Sequence, residues 1–145
     1  MATANIPNAE LEKQQQEWLT GLAALVETME KWAQELGWST RRIETRMEDS
    51  EVGTYRAPAL LMQAETTRLF LEPIARSSPD EEGRVDLYVM PAYDDIAQLY
   101  FSNGKWELLY LPVDSAVATT SRVEPKPLSK TALQEVLQTL RNNAA

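Results

Sequence analysis

The stretch RVDLYVMPAYDDIAQLYFSNGKWELLYLP, residues 84–112, decides the fold. It reads as three antiparallel strands. Asn103-Gly104 is the strongest hairpin signal in the chain, because a type I′ turn needs positive φ at both central positions. A two-residue loop there sets Ser102 opposite Lys105. Phe101 then faces Trp106, Leu99 faces Leu108 and Ala97 faces Tyr110. Side chains alternate across a strand, so these residues share one face, while Tyr100, Glu107, Gln98 and Leu109 fall on the other.

The strand before it is expected to join through a five-residue loop, Pro91 to Asp95. That register sets Val89 opposite Ala97, Leu87 opposite Leu99 and Val85 opposite Phe101. Asp86 and Tyr88 then lie opposite Tyr100 and Gln98. A slip of one residue would turn every apolar side chain to the wrong face. The face with Val85, Leu87, Val89, Ala97, Leu99, Phe101, Trp106, Leu108 and Tyr110 is expected to be buried.

Upstream, the spacing predicts a long helix over residues 8–36, with Asn8 at its N-cap and Gly37 as C-cap. Trp18, Leu22, Leu25, Met29, Trp32 and Leu36 alternate by four and three, and Leu19, Val26 and Ala33 widen the stripe. A wide stripe suits packing on a sheet; part of the seam also suits a dimer or a partner helix. At about 1.5 Å per residue such a helix outreaches a typical strand, so one end should overhang. Residues 1–7 are expected to form a tail, leaving 8–145 as one domain.

Thr40 to Glu48 reads as an edge strand guarded by charges of alternating sign. Asp49 to Arg56 reads as a loop. Strands are expected at 59–64 and 68–76, with Pro73 marking an edge or a bulge. Residues 77–83 read as a polar loop, and a further strand is possible near Val117. Ser129 is placed to cap a last helix whose Leu133, Val136, Leu137 and Leu140 form one apolar face, with Leu128 and Leu133 as a staple. The layout is α+β: a long N-terminal helix, a mostly antiparallel sheet of about six strands, and a short C-terminal helix.

Composition narrows function by exclusion. The 145 residues contain no cysteine and no histidine. Ser-His-Asp and Cys-His mechanisms, disulfide frameworks and cysteine metal sites are ruled out, and the commonest general base is missing. A chain without cysteine fits a reducing compartment, so a cytoplasmic location is expected. The net charge of -8 makes nucleic acid and anionic membranes poor partners, and favours a basic protein partner. The N-terminus has neither a basic nor an apolar signal-peptide region. No glycine-rich phosphate loop is present, and no cofactor is expected.

Carboxylates are the remaining catalytic currency. Asp86, Tyr100 and Glu107 share one row of the sheet in the expected register, Asp94 and Asp95 sit in the loop between the strands, and oxygen ligands of this kind suit Mg²⁺ or Ca²⁺. Aspartates in turns more often satisfy backbone groups. Asp114 followed by Glu124-Pro125-Lys126 is similar in spacing to the Asp and Glu-x-Lys motif of the restriction-endonuclease-like nucleases, although Pro125 is poorly suited to a central strand. The second sheet face, with Tyr88, Tyr100, Leu109, Leu111, Met90 and Ile96, is too apolar for full solvation, so a helix or a partner should cover it. Trp18, Leu22, Tyr88, Tyr100 and Leu109 are therefore the interface candidates.

In size, acidity and helix-flanked sheet the layout resembles the small secretion chaperones, without the middle helix that class has. The sequence-based expectation is a non-catalytic, acidic protein-binding module of chaperone, adaptor or inhibitor type, forming a homodimer. The alternative is a carboxylate-dependent metal hydrolase, nuclease-like, using Asp86, Asp94, Asp95 and Glu107.

Overall fold

A computed structural model describes residues 8–76, 83–91, 96–102, 104–110 and 125–144. Helix α1 spans Asn8–Glu35. It is followed by β1 (Ser39–Asp49), β2 (Gly53–Ala64), β3 (Thr67–Ala75), β4 (Gly83–Val89), β5 (Ile96–Ser102), β6 (Lys105–Tyr110), the two-residue β7 (Lys126–Pro127) and helix α2 (Lys130–Ala144). All strands pair antiparallel with their neighbours in the chain, in the order β1 to β7. The α+β architecture expected from the sequence is present, with a seventh strand at the edge.

Local chemistry sets the helix ends. Gly37 adopts φ +93°, where a side chain would be strained. The Trp38 N–H then reaches the Ala33 carbonyl at 2.9 Å and the Gly37 N–H reaches Gln34 at 3.1 Å, which satisfies carbonyls the helix leaves open. At α2 the Ser129 hydroxyl accepts from the Ala132 N–H at 3.1 Å, as an N-cap should. Leu128 and Leu133 both reach the core from either side of that cap.

Both helices lie on the same side of the sheet. A single apolar cluster joins Leu22, Val26 and Met29 of α1, Leu133, Val136, Leu137 and Leu140 of α2, and the inward residues of the strands. Lys130 bonds Glu35 at 2.9 Å and Arg141 bonds Glu65 at 2.6 Å, tying α2 to the end of α1 and to the β2–β3 turn. The expected choice between a helix on each face and one face left for something else is thus settled: among the described residues, no helix covers the second face.

The β5–β6 hairpin has the expected register: Ser102↔Lys105, Phe101↔Trp106, Leu99↔Leu108 and Ala97↔Tyr110. Gly104 sits at φ +74°; Asn103 lies outside the described residues. The β4–β5 register differs from expectation by two residues. Leu87 faces Ala97, Val85 faces Leu99 and Gly83 faces Phe101. The reason lies on the other side of β4, which stays paired with β3 to its end: Val89 faces Leu69, and the Met90 N–H donates to the Arg68 carbonyl at 2.9 Å. β5 still begins at Ile96, directly after the expected loop, but it pairs two residues earlier along β4, with Ile96 facing Tyr88.

One further expectation changes. Residues 49–56 are not a loop: β1 and β2 form a hairpin paired from Ser39↔Gln63 to Asp49↔Gly53. Its turn is built by Asp49, whose Oδ1 accepts the Glu51 and Val52 N–H groups at 2.8 and 3.1 Å. β2 pairs with β3 only over 60–64, so the outer half of this hairpin stands as a two-stranded ribbon. Ribbons twist more than wide sheets. Here the inward side passes from Leu60, Met62 and Ala64 to Tyr55 and Ala57. Of the two readings of Pro73, an edge or a bulge, the bulge is present: β3 is an interior strand, and a register shift between Pro73 and Ala75 absorbs the missing donor. The strand expected near Val117 falls outside the described residues, as do residues 1–7 and 77–82.

Candidate functional site

Small residues decide where the aromatic side chains go. A Cβ on Gly83 would lie 2.2 Å from the Trp18 ring, and one on Gly21 would lie 3.0 Å from Phe101. Without those carbons, Trp18 drops onto β4 and its Nε1–H donates to the Tyr55 hydroxyl at 2.9 Å. Phe101 closes against the middle of α1. Trp106 then lies between them, with ring centroids 4.8 Å from Phe101 and 6.2 Å from Trp18.

Phe101 and Trp106 were expected to be buried; they are half-buried. The flank of α1 above them carries Thr20, Gly21 and Ala24, side chains too short to roof two large rings, with the exposed Glu17 one turn before them. What remains is a groove of about 590 Å³ between α1 and the β5–β6 hairpin. A second hollow of about 330 Å³ continues it past Ala24 and Trp106 toward Thr28 and Leu128. From Gln16 to Thr28 the groove follows α1 for roughly 18 Å at 1.5 Å per residue. Its floor is aromatic, and Glu17 and Lys105 stand at its rim. The Glu17 carboxylate and the Thr20 hydroxyl are polar groups of its lining. The groove can take apolar side chains and surround them with polar contacts.

The sequence candidates are placed as follows. Trp18 is 2 % exposed and Leu22 1 %, so both belong to the chain's own core. Tyr88, Tyr100 and Leu109 are half-buried on the second sheet face. There Tyr88 packs edge-on against Phe70, with centroids 5.9 Å apart, and its hydroxyl donates to Glu72 at 2.9 Å. Asp86 is fully buried, and the Arg84 guanidinium holds both its oxygens, at 2.9 and 3.1 Å. The corrected register puts Asp86 in a row with Gln98 and Leu109, and Glu107 in a row with Tyr100 and Arg84. The expected row of Asp86, Tyr100 and Glu107 is therefore not formed. Asp94, Asp95, Asp114 and Glu124 lie outside the described residues. Among the described residues, no three carboxylates gather where a cation could sit.

Sequence reading missed a charged cluster at the far end of the sheet. Arg76, only 6 % exposed, follows β3. Its guanidinium donates to Asp49 Oδ2 at 2.8 Å, to Glu51 at 2.8 Å and to Gln14 of α1 at 3.0 Å. Burial pushes the Asp49 carboxyl up, but the Arg76 hydrogen bond and the Glu51 and Val52 N–H groups together hold it below its ordinary value. The bonds to Asp49, and then to Glu51, raise Arg76 further. Burial raises the nearby Tyr55 phenol as well. Every donor is matched, so the cluster clamps the ribbon to α1 rather than offering reactive groups.

A mid-helix Gly21 was the one sequence signal for the groove. Glycine inside a helix costs roughly 1 kcal/mol relative to Ala, so it asks for a reason, and a close-packed ring supplies one. Compared with known proteins, the chain matches no family model, no curated sequence and no solved structure.

Proposed function

We propose that this chain is a non-catalytic binding module that receives apolar side chains of a basic protein segment in the groove along α1. The observation that carries the reading is the half-exposed Phe101–Trp106 pair flooring a groove of about 590 Å³. Aromatic residues in partly covered hollows are the usual anchors of protein interfaces. Short residues on α1 let a partner backbone come close. The excess of acids, net charge -8, draws a basic partner and repels nucleic acid and anionic membranes. No helix of the structure is long and apolar enough to cross a membrane. A chaperone, adaptor or inhibitor in the cytoplasm would use such a surface without cofactor or metal.

The test is site-specific photo-cross-linking in the native host. A photoreactive residue at Thr20 or Ala24 on the groove wall should capture a discrete polypeptide. The same probe at Ala23, on the opposite flank of α1, should not. Ala24→Arg should abolish capture from Thr20 while leaving the far-UV spectrum intact. Equal capture from Ala23, or none from the groove wall, would sink the reading.

A further inference from the structure

β1 is an edge strand of the sheet, paired with β2 alone among the described residues. Its eleven residues read STRRIETRMED. Arg41, Arg42, Glu44, Arg46 and Glu48 are all exposed. Arg42 bonds Glu30 on α1 at 2.7 Å; the other four have no ion-pair partner among the described residues. Charges on an edge strand discourage indiscriminate pairing. Their order here does something more specific.

Suppose a second copy is laid antiparallel against β1 with the two-fold axis at Thr45. Thr45 then faces its own copy and Ile43 faces Met47. Glu44 faces Arg46, Arg42 faces Glu48 and Arg41 faces Asp49. Every charged residue meets its opposite, in both halves of the symmetric pair. Asp49 is already held by Arg76 and Arg42 by Glu30, so the new attraction comes from the Glu44–Arg46 pair, formed twice, with Glu48 placed to share Arg42. Moving the axis one residue either way keeps each side chain on its own face, but puts Arg42 against Arg46 or Glu44 against Glu48. A parallel arrangement in register sets like against like throughout. Opposite charges across an antiparallel pair attract and like charges repel, so the pattern selects one register and one orientation.

We infer that the β1 edge is a homodimer interface, two copies pairing antiparallel about Thr45 into one continuous sheet. The axis stands perpendicular to the sheet, so the helices of both copies lie on the same side. This assembly uses the β1 edge and not the groove, and it stands or falls separately from what the groove binds.

The test is a charge swap on the full chain, read by light scattering after size exclusion. The wild type should have the mass of a dimer at high micromolar concentration and dissociate as salt rises, since exposed pairs are screened. Glu44→Arg sets two arginines opposite each other, and Arg46→Glu sets two glutamates; each should weaken association about tenfold or more. The double variant E44R/R46E restores opposition and should dimerise again. Mixing the two single variants should give a heterodimer that neither forms alone. Both side chains are exposed, so the folds are expected to survive, checked by circular dichroism. A second measurement leaves the charges untouched. The chain has no cysteine, so Thr45→Cys places the only thiol on the axis, with Cα atoms about 4.5 or 5.5 Å apart, within disulfide reach. Diamide should convert it to a covalent dimer, and should leave Ser39→Cys without a cross-link on a denaturing gel. A wild type that stays monomeric at all concentrations, single variants that dimerise as well as the wild type, a failed rescue, or no Thr45→Cys cross-link would each overturn the inference.

Discussion

Replacing Arg76 by Met tests whether the charged clamp holds the β1–β2 ribbon in place. Met fills most of the arginine stem, so the change isolates the charge. It leaves Asp49, with a side chain 13 % exposed, without its cation. Breaking a buried pair by removing one partner typically costs 3 to 5 kcal/mol. Two features hold the value to the lower end. Asp49 keeps the Glu51 and Val52 N–H groups, and Glu51 is 44 % exposed, so it returns to water at little cost. The expected loss is about 3 kcal/mol, which lowers the melting temperature by roughly 10 °C in a chain of this size. Urea unfolding followed by tryptophan emission is suited to the measurement, because Trp18 is bonded to Tyr55 beside the clamp.

The pH dependence gives a second reading of the same variant. The folded Asp49 carboxyl lies below its unfolded value of about 3.9. Its contribution is therefore fully present above that value and lost as pH falls through the folded value. In Arg76→Met the main lowering cause is gone and burial remains, so the acid-side decline should flatten. A loss of stability below about 1 kcal/mol, with an unchanged acid limb, would refute the clamp.

Gly83→Ala forces a carbon to 2.2 Å from the Trp18 ring; overpacking of this kind costs about 1 to 3 kcal/mol, and a neutral result in urea would mean that Trp18 can move aside. Trp106→Ala removes a half-buried indole, so its cost should be about 2 kcal/mol rather than the 3 to 5 of a fully buried one, measured the same way; 4 or more would mean the ring is roofed over. Titration calorimetry with Mg²⁺, Mn²⁺ and Ca²⁺ should give no binding heat. A saturable signal abolished by Asp86→Asn or Glu107→Gln would revive the metal-hydrolase alternative.

Much of the fold was legible because local rules and global packing agree. Asn103-Gly104, Gly37 and Ser129 each announce a chain reversal or a cap, and the structure places Gly104, Gly37 and Ser129 where their chemistry demands. The β4–β5 register was not legible, for a plain geometric reason. Alternation has period two, so a two-residue slip keeps every side chain on its face, and only the pairing of β4 with β3 on its other edge separates the two registers. That same slip took Asp86 out of the row with Tyr100 and Glu107. The β1–β2 turn was hidden because Asp49, Glu51 and Gly53 read as generic loop residues; the Asx geometry of Asp49 becomes visible only with its backbone bonds. The groove was obscured by an average. Phe101 and Trp106 point inward as the pattern requires, but period says which way a side chain points and not how well the helix above covers it. Arg76 carried no signal, because its partners lie 25, 27 and 62 positions away in the chain.

The strictly sequential strand order bears on how the chain comes to be folded. Each strand pairs only with its neighbours in the chain, so every ladder from β1 to β6 closes across seven residues or fewer, and only the two-residue β7 follows a longer connection, residues 111–125. Such topologies need little loop-closure entropy before pairing rewards it, and they fold comparatively fast. On a ribosome the hairpins can form in the order in which they emerge. The inner face cannot be sealed in that order. α2 is made after all seven strands, yet its Leu133, Leu137 and Leu140 belong to the same apolar cluster as α1 and the middle strands. Until it docks, the growing chain presents an uncovered apolar sheet, and arrested nascent chains ending before Lys130 should be the form that chaperones hold.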